Sequence, residues 1–417
     1  MNENIDELNY NFDNCALESD DDENFDEEID LDEYVNSDED EDDLEHLIQN
    51  PYWSYNIVQP TRPMFNGNSG FNFDELDSCS KPIDYFNLFL TEEMVHLIVD
   101  QSNLYGHEKY PDMEDITPEE IDTIVGIFIN MGFAPLPKLE DYWSIDPVFI
   151  RSANFGGIMP RRRFMPIMSS PHFEDNHNNS GSKLYKIERF LKMFVDRCQH
   201  LKIPGEGICI DESLILFRGR LLFRQYIPNK RHRYGIKLFK LCSAGGYTHN
   251  IQIYAGKNEL RTGSVAEEVV MSLSDGLLDS WRTLYIDNWY TSVNLAELLL
   301  ARSTNMVGTL RRNRKDNPVD VVGQKLKKGE CISVKNGIMV IKWRDKRDVI
   351  MISTKHDSSR NAAGKPEVVL DYNKGKTFID LSDQMGSYCP FQRKTYRWYM
   401  RVFFILFANV LSRMLGL

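Results

Sequence analysis

Cysteine is scarce and scattered in this 417-residue chain. The seven cysteines (Cys15, Cys79, Cys198, Cys209, Cys242, Cys331, Cys389) are odd in number and include no Cys-x-x-Cys pair. That spacing argues against a disulfide framework and against a zinc site, and it suits a reducing compartment. A basic, apolar, small-residue leader is missing from the amino terminus. The longest mostly apolar run, Val402 to Leu411, is too short to span a bilayer and is soon followed by Arg413. The expectation is a soluble intracellular chain with no membrane partner.

Basic residues are also missing where acidic ones crowd. The first fifty residues hold 22 Asp and Glu and no Lys or Arg. The whole chain carries −15, yet without those 22 acids its 48 basic residues face only 41 acidic ones, a net +7. A mildly basic body is compatible with a nucleic-acid partner, and equally with a solvated surface. Residues 1–50 have too few apolar side chains to offset the entropy of ordering, so a disordered acidic amino terminus is expected. Ser19 and Ser37 precede acidic runs that suit acid-directed kinases, or the segment is an unmodified solubilising tail. Pro51, Pro60 and Pro63 keep the chain loop-like to residue 81.

Ordered structure is expected from Pro82. Thr91-Glu-Glu reads as a helix start, and Thr117-Pro-Glu-Glu120 as a stronger one, with a cap, a proline at the first helical position and a capping-box glutamate. Ile121, Ile124, Val125, Phe128 and Met131 recur at helical spacing. Tyr185 to His200 is amphipathic, so 82–205 reads as helical. From Gly205 the pattern changes to strands at 207–217, 234–243 and 249–255. A Ser264 capping box and helix follow, then a buried strand at Leu284–Ile286, a helix at 292–302 and a strand at Met306–Leu310. Together they describe a mixed α/β sheet. Residues 312–365 are basic and turn-rich, as an inserted subdomain would be.

Several aspartates stand where an α/β phosphoryl-transfer site would use them. Asp211 lies inside an apolar strand, where a carboxylate is costly unless paired or bound to metal. Asp287 follows a strand end, a common place for sites in open sheets. Asp380 and Asp383 are three apart in a segment that can be helical. Converging carboxylates suit Mg²⁺, with Mn²⁺ as a substitute, in a two-metal arrangement for in-line phosphoryl transfer. Alternatives stay open: Asp211 pairing with Arg218 or Arg220, Asp287-Asn288 as a turn, Asp383 as a solvated helix residue.

Ordered strings sharpen the reading. Asp211-Glu-Ser-Leu-Ile-Leu-Phe-Arg-Gly-Arg220, Tyr226-Ile-Pro-Asn-Lys230, Tyr234-Gly-Ile-Lys237, Asp287-Asn-Trp-Tyr-Thr-Ser292 and Val307-Gly-Thr-Leu-Arg-Arg-Asn-Arg314 come first. Asp371-Tyr-Asn373, Ile379-Asp-Leu-Ser-Asp-Gln384 and Arg393-Lys-Thr-Tyr-Arg-Trp398 follow. In that order they resemble the piggyBac-type DNA transposase family over residues 82–410. The resemblance implies an α/β RNase H-like catalytic core at 206–311 and 366–389, and a β-rich insertion at 312–365. It also implies a discontinuous helical dimerisation and DNA-binding domain at 82–205, completed by about 390–417. Asp211, Asp287 and Asp380 would be the catalytic metal-binding triad, with Asp383 beside them. The implied chemistry is cut-and-paste transposition on double-stranded DNA at TTAA sites, in the nucleus, by a homodimer. A domesticated DNA- or chromatin-binding derivative is the alternative. Thr377-Phe-Ile379 replaces the family's usual Gly-Gly-Val, and no cysteine-rich zinc domain is found before Leu417.

Basic segments complete the expectation. Arg218, Arg220, Arg224, Lys230, Arg231, Arg233, Lys237 and Lys240 cluster within one stretch, joined by Tyr226 and Asn229. They read as phosphate contacts or as solvated strand faces. Arg311, Arg312, Arg314 and Lys315 would touch DNA or serve as a nuclear-import signal. Arg393, Lys394, Arg397 and Arg401 would lie along phosphates. Lys325, Lys327, Lys328 and the Lys342–Arg347 cluster read as an exposed face. Trp289 and Tyr290 would stack on a base or belong to the core.

Overall fold

The computed structural model describes residues 53–54, 63–146, 154–178, 181–227, 233–256, 264–387 and 395–414. The acidic segment, Asn229, Lys230, Arg231, Arg393 and Lys394 lie outside them. Two short helices, α1 (Phe73–Leu76) and α2 (Pro82–Asn87), lead into α3 (Glu92–Lys109) and α4 (Pro118–Phe133). The start signals act as written. Thr91 Oγ1 accepts from the Met94 N–H, and Thr117 and Glu120 close a reciprocal capping box. Each such cap satisfies backbone donors that a helix end otherwise leaves unpaired. Helices α5 (Arg161–Ser169) and α6 (Tyr185–Leu201) follow.

The periodic apolar residues of α4, from Ile121 to Met131, are buried. Their partners include the last described helix, Trp398–Met414: Phe128 meets Phe404 edge-on at 5.3 Å, and Phe190 of α6 lies 5.5 Å from Phe403. One core thus joins helices from both ends of the described chain. Fully burying such an aromatic side chain contributes about 1.5–3 kcal/mol.

The small pair β1 (Gly70–Phe71) and β2 (Lys202–Ile203) precedes the main sheet. That sheet contains β3 (Gly207–Leu216), β4 (Gln225–Tyr226), β5 (Tyr234–Ser243), β6 (Tyr247–Ile253), β7 (Thr283–Ile286), β8 (Asn305–Thr309), β9 (Cys331–Asn336), β10 (Ile338–Arg344) and β11 (Asp348–Ser353). Its order is β4-β5-β3-β7-β8-β11-β10-β9, with β6 on β5. β3, β7 and β8 are parallel, while β5 runs antiparallel to β3 and to β6. The strands of 312–365 continue this sheet, because β11 pairs with β8 from Thr309↔Met351 to Val307↔Ser353.

Helices cover both faces. α7 (Val265–Leu273) and α8 (Val293–Ala301) pack on the face of Ile208, Ile210, Leu284 and Ile286. The expected Ser264 capping box is not formed, since that side chain makes no cap hydrogen bond. After the short α9 (Val319–Val322), helices α10 (Glu367–Gly375) and α11 (Thr377–Ser387) cover the face of Cys209, Cys242, Tyr285 and Val307. The chain then enters α12 (Trp398–Met414). Lys342 departs from the expected exposed face: it is buried, donates to the Val322 and Gln324 carbonyls, and pairs with Asp348.

Candidate active site

Strand periodicity decides which side chains meet. In β3 the two-residue repeat puts Cys209, Asp211 and Ser213 on one face. β7 runs parallel beside it, and the last registered pair is Ile210↔Ile286. Asp211 and Asp287 are therefore the next residues along two neighbouring strands. Gly308 lets β8 close against this edge: a Cβ there would stand 2.4 Å from the Ile286 carbonyl oxygen. Helix α11 packs over the same face, with Asp380 exposed in its first turn.

Electrostatics agree with that convergence. Burial pushes the Cys209 thiol well up, and the charges of Asp211, Asp380 and Asp287 push in the same direction. Asp287 is itself raised above the usual carboxylate range, first by burial and also by Glu212. The Trp289 N–H, which donates to Asp287 Oδ1 at 2.8 Å, opposes the shift, as do Arg311 and Lys237. That hydrogen bond makes Asp287-Asn288 a turn as well as a strand-end carboxylate. Asp211 Oδ1 accepts from the Glu212 N–H at 2.8 Å.

Asp383 is differently placed. Ser213 Oγ reaches its carboxylate at 2.7 and 2.8 Å, and the buried Lys240 donates to Oδ1 at 2.6 Å. Sequence reasoning grouped Lys240 with phosphate contacts and passed over Ser213. The usable signal was spacing: Ser213 is two residues from Asp211 and shares its face, and Lys240 is the registered neighbour of Asp211 on β5.

The expected basic contacts separate by burial. Arg218 and Arg220 are exposed, whereas Arg224 donates to the Arg218 and Gly219 carbonyls and lies over the Tyr234 ring. Tyr226 packs against Tyr234 at 4.8 Å. Lys237 is wholly buried, pairs with Glu212 at 3.6 Å, and sits over Phe239 and Trp289. Arg397 is also buried, over the ring of Tyr105 and bonded to its hydroxyl. The reading of Lys237 and Arg397 as phosphate contacts is at odds with this burial. Arg401 is turned inward too, donating to the Leu216 carbonyl. Trp289 stacks on Phe239 at 5.6 Å and 21°, and Tyr290 is a core residue. Arg311 bonds Asn288 Oδ1, Arg314 bonds the Asn288 and Trp289 carbonyls, and Lys315 is exposed.

Oxygen donors alone, on two neighbouring central strands with one desolvated carboxylate, fit a hard divalent cation, whose charge would relieve the cost of ionising Asp287. The three aspartates do not close to the spacing of bound ligands. Among the described residues, Glu108, Asp175 and His177 are the group whose ligand atoms lie within 4.8 Å of one another. On α10, Asp371 accepts from the Tyr285 hydroxyl and pairs with His356, which bonds Ser353 Oγ. Lys355, His356, Asp371 and Lys374 line a cleft there. No described helix is long and apolar enough to cross a membrane.

Comparison with known proteins places this architecture. The family described as Transposase IS4 matches residues 81–412. Human PiggyBac transposable element-derived protein 3 is 28% identical over 287 residues, which is 66% of this chain and 48% of that protein. Human PiggyBac transposable element-derived protein 2 is 22% identical over 348 residues, 76% of this chain and 58% of that protein. A cryo-EM structure of a piggyBac transposase synaptic complex with hairpin DNA superposes with a TM-score of 0.75 at 28% identity, over 84% of this chain and 76% of that one. The chain belongs to the piggyBac-type transposase family. It spans about half the length of the curated relatives.

Proposed function

We propose that the chain is a cut-and-paste DNA transposase, with Asp211, Asp287 and Asp380 as its catalytic carboxylates. The observation that carries this reading is the adjacency of Asp211 and Asp287 on neighbouring parallel strands, beneath the helix that bears Asp380. The antiparallel-then-parallel order β6-β5-β3-β7-β8 supports an RNase H-like core at 206–311 and 366–389. In this reading 82–205 and about 390–417 form the dimerisation and DNA-binding part, and 312–365 is the insertion.

The three aspartates would hold Mg²⁺ or Mn²⁺, which when bound supplies charge neutralisation for in-line phosphoryl transfer. The protein's own part is positional. Asp211 and Asp287 are fixed by two registered strands, and the burial of Asp287 discourages its ionisation without a counter-charge. Exposed Arg218, Arg220 and Lys315, with the half-buried Arg311, would take phosphates of double-stranded DNA, orienting a TTAA-flanked transposon end. The protein would work as a homodimer in the nucleus.

A second reading has one observation in its favour: the human relatives are named as transposable element-derived proteins. The chain would then bind DNA or chromatin without transposing. Incubation with a TTAA-flanked transposon end and Mg²⁺ separates the two. Cleavage that Asp211→Asn abolishes supports the transposase; equal cleavage by that variant overturns the site. Salt-sensitive binding without cleavage favours the derivative.

A further inference from the structure

We infer that Asp383 is a positioning residue, the acid half of a latch that ties α11 to the buried Lys240 and Ser213 of the sheet, and not a metal ligand. The inference rests on the proposed metal site and narrows it. Asp380 and Asp383 lie one turn apart on α11, so whatever seats one sets the other. Lys240, wholly enclosed on β5, places its ammonium 2.6 Å from Asp383 Oδ1, and Ser213 of β3 donates to the same carboxylate. A divalent cation on that carboxylate would be forced next to a buried positive charge. The two positive charges would repel across that contact, which water reaches only from the Asp383 side.

A second set of bonds repeats the device one residue earlier. The buried Ser382 shares a hydrogen bond with Thr248 of β6 at 2.9 Å and reaches Asn409 Oδ1 of α12 at 3.3 Å. Behind the helix, a Cβ on Gly246 would stand 2.9 Å from the Ser382 nitrogen, so backbone meets backbone there. α11 is thus tied to β3, β5, β6 and α12 through Asp383 and Ser382. Asp380 stands in the first turn of the helix, which covers the sheet face that carries Asp211 and Asp287. Polar groups behind a metal site set its ligand geometry in this way, and their loss weakens metal binding by about 10- to 100-fold.

The test uses the full chain with Lys240→Met, Asp383→Asn and the double variant. Mn²⁺ binding is measured by calorimetry, and exchange of the 377–387 amides by hydrogen–deuterium mass spectrometry. A latch predicts that each single variant weakens Mn²⁺ by roughly 10-fold, speeds exchange in α11, and that the double is no worse than either single. Asp383→Asn alone should be the more harmful single change, because it strands a buried ammonium. Loss of one Mn²⁺ equivalent in Asp383→Asn, with Lys240→Met unchanged or tighter, would overturn the latch. So would unchanged exchange in both singles. Wild-type protein that binds Mn²⁺ no better than Asp211→Asn would instead sink the metal-site reading, while the exchange data still decide the latch.

Discussion

Arg163 grips Glu120 with two parallel hydrogen bonds, Nε to Oε1 at 2.6 Å and Nη2 to Oε2 at 2.5 Å. The same glutamate closes the capping box of α4, so one carboxylate starts a helix and ties α5 to it. Arg163 also reaches the Glu114 and Asp115 carbonyls. Arg163→Met should lower stability by about 1–3 kcal/mol, read from urea denaturation. The arginine's hydrogen bond holds the Glu120 carboxyl below its ordinary 4.5. A depressed acid stabilises above the unfolded value and loses that contribution as pH falls through the folded one. The variant should therefore lose less stability than the wild type on acidification below pH 4.5.

Gly308 sits where two backbones nearly touch. Gly308→Ala must displace the Ile286 carbonyl or the Thr291 methyl, which a Cβ would approach to 2.4 and 2.6 Å. A loss of about 1–3 kcal/mol is expected, with divalent-cation affinity falling as well, because the shift is passed to Asp287. A variant as stable as wild type would show that β8 can retreat freely.

Asp287 gives a pH test with the opposite sign. Burial raises its folded value above the unfolded 3.8, so ionising it costs the folded state and stability falls as pH rises through that window. Added Mg²⁺ should raise Tm more at pH 7 than at pH 5. Asp287→Asn should remove most of that gain while raising the metal-free Tm. Differential scanning calorimetry with and without Mg²⁺ checks both.

Exposed and buried arginines should part company in a salt titration. Arg218→Gln and Arg220→Gln should each flatten the slope of log affinity against log salt by about 0.9 on duplex DNA. Arg397→Gln should leave the slope alone and lower Tm, since its guanidinium stacks inside on Tyr105. Equal slopes for wild type and both exposed variants would remove Arg218 and Arg220 from the interface.

Lys237→Met probes a buried cation. Burial lowers the Lys237 value, against the pull of Glu212, so stability should rise with pH just below the lysine's ordinary 10.5. Methionine fills the same space between Phe239 and Trp289 without a charge, and should change stability by less than about 1 kcal/mol or increase it. Chemical denaturation at pH 7 and pH 10 reads both effects.

Local chemistry was the legible part of the sequence. Thr117 and Glu120 need only each other, three residues apart, and the α4 cap forms as the string says. The strand ending at Ile286 and the helix containing Asp380 and Asp383 were readable from short apolar patterns. Burial of charge was not. Lys237, Lys240 and Arg397 look like surface cations in a basic string, because the partners that enclose them come from far along the chain: Asp383 is 143 residues from Lys240, and Tyr105 is 292 from Arg397. The continuation of the sheet through β11 was equally hidden, since it depends on a strand order that a turn-rich stretch does not announce.

The mutual packing of α12 with α2, α4 and α6 has a consequence for biosynthesis. Phe407 meets Phe86, Phe404 meets Phe128 and Phe403 meets Phe190, so the seat for these rings is translated some two hundred to three hundred residues before the rings themselves. Until they emerge, the early helices present a row of uncovered aromatic side chains to solvent. Such nascent chains are slow to complete and prone to association, which makes chaperone engagement during synthesis the expected companion of this architecture.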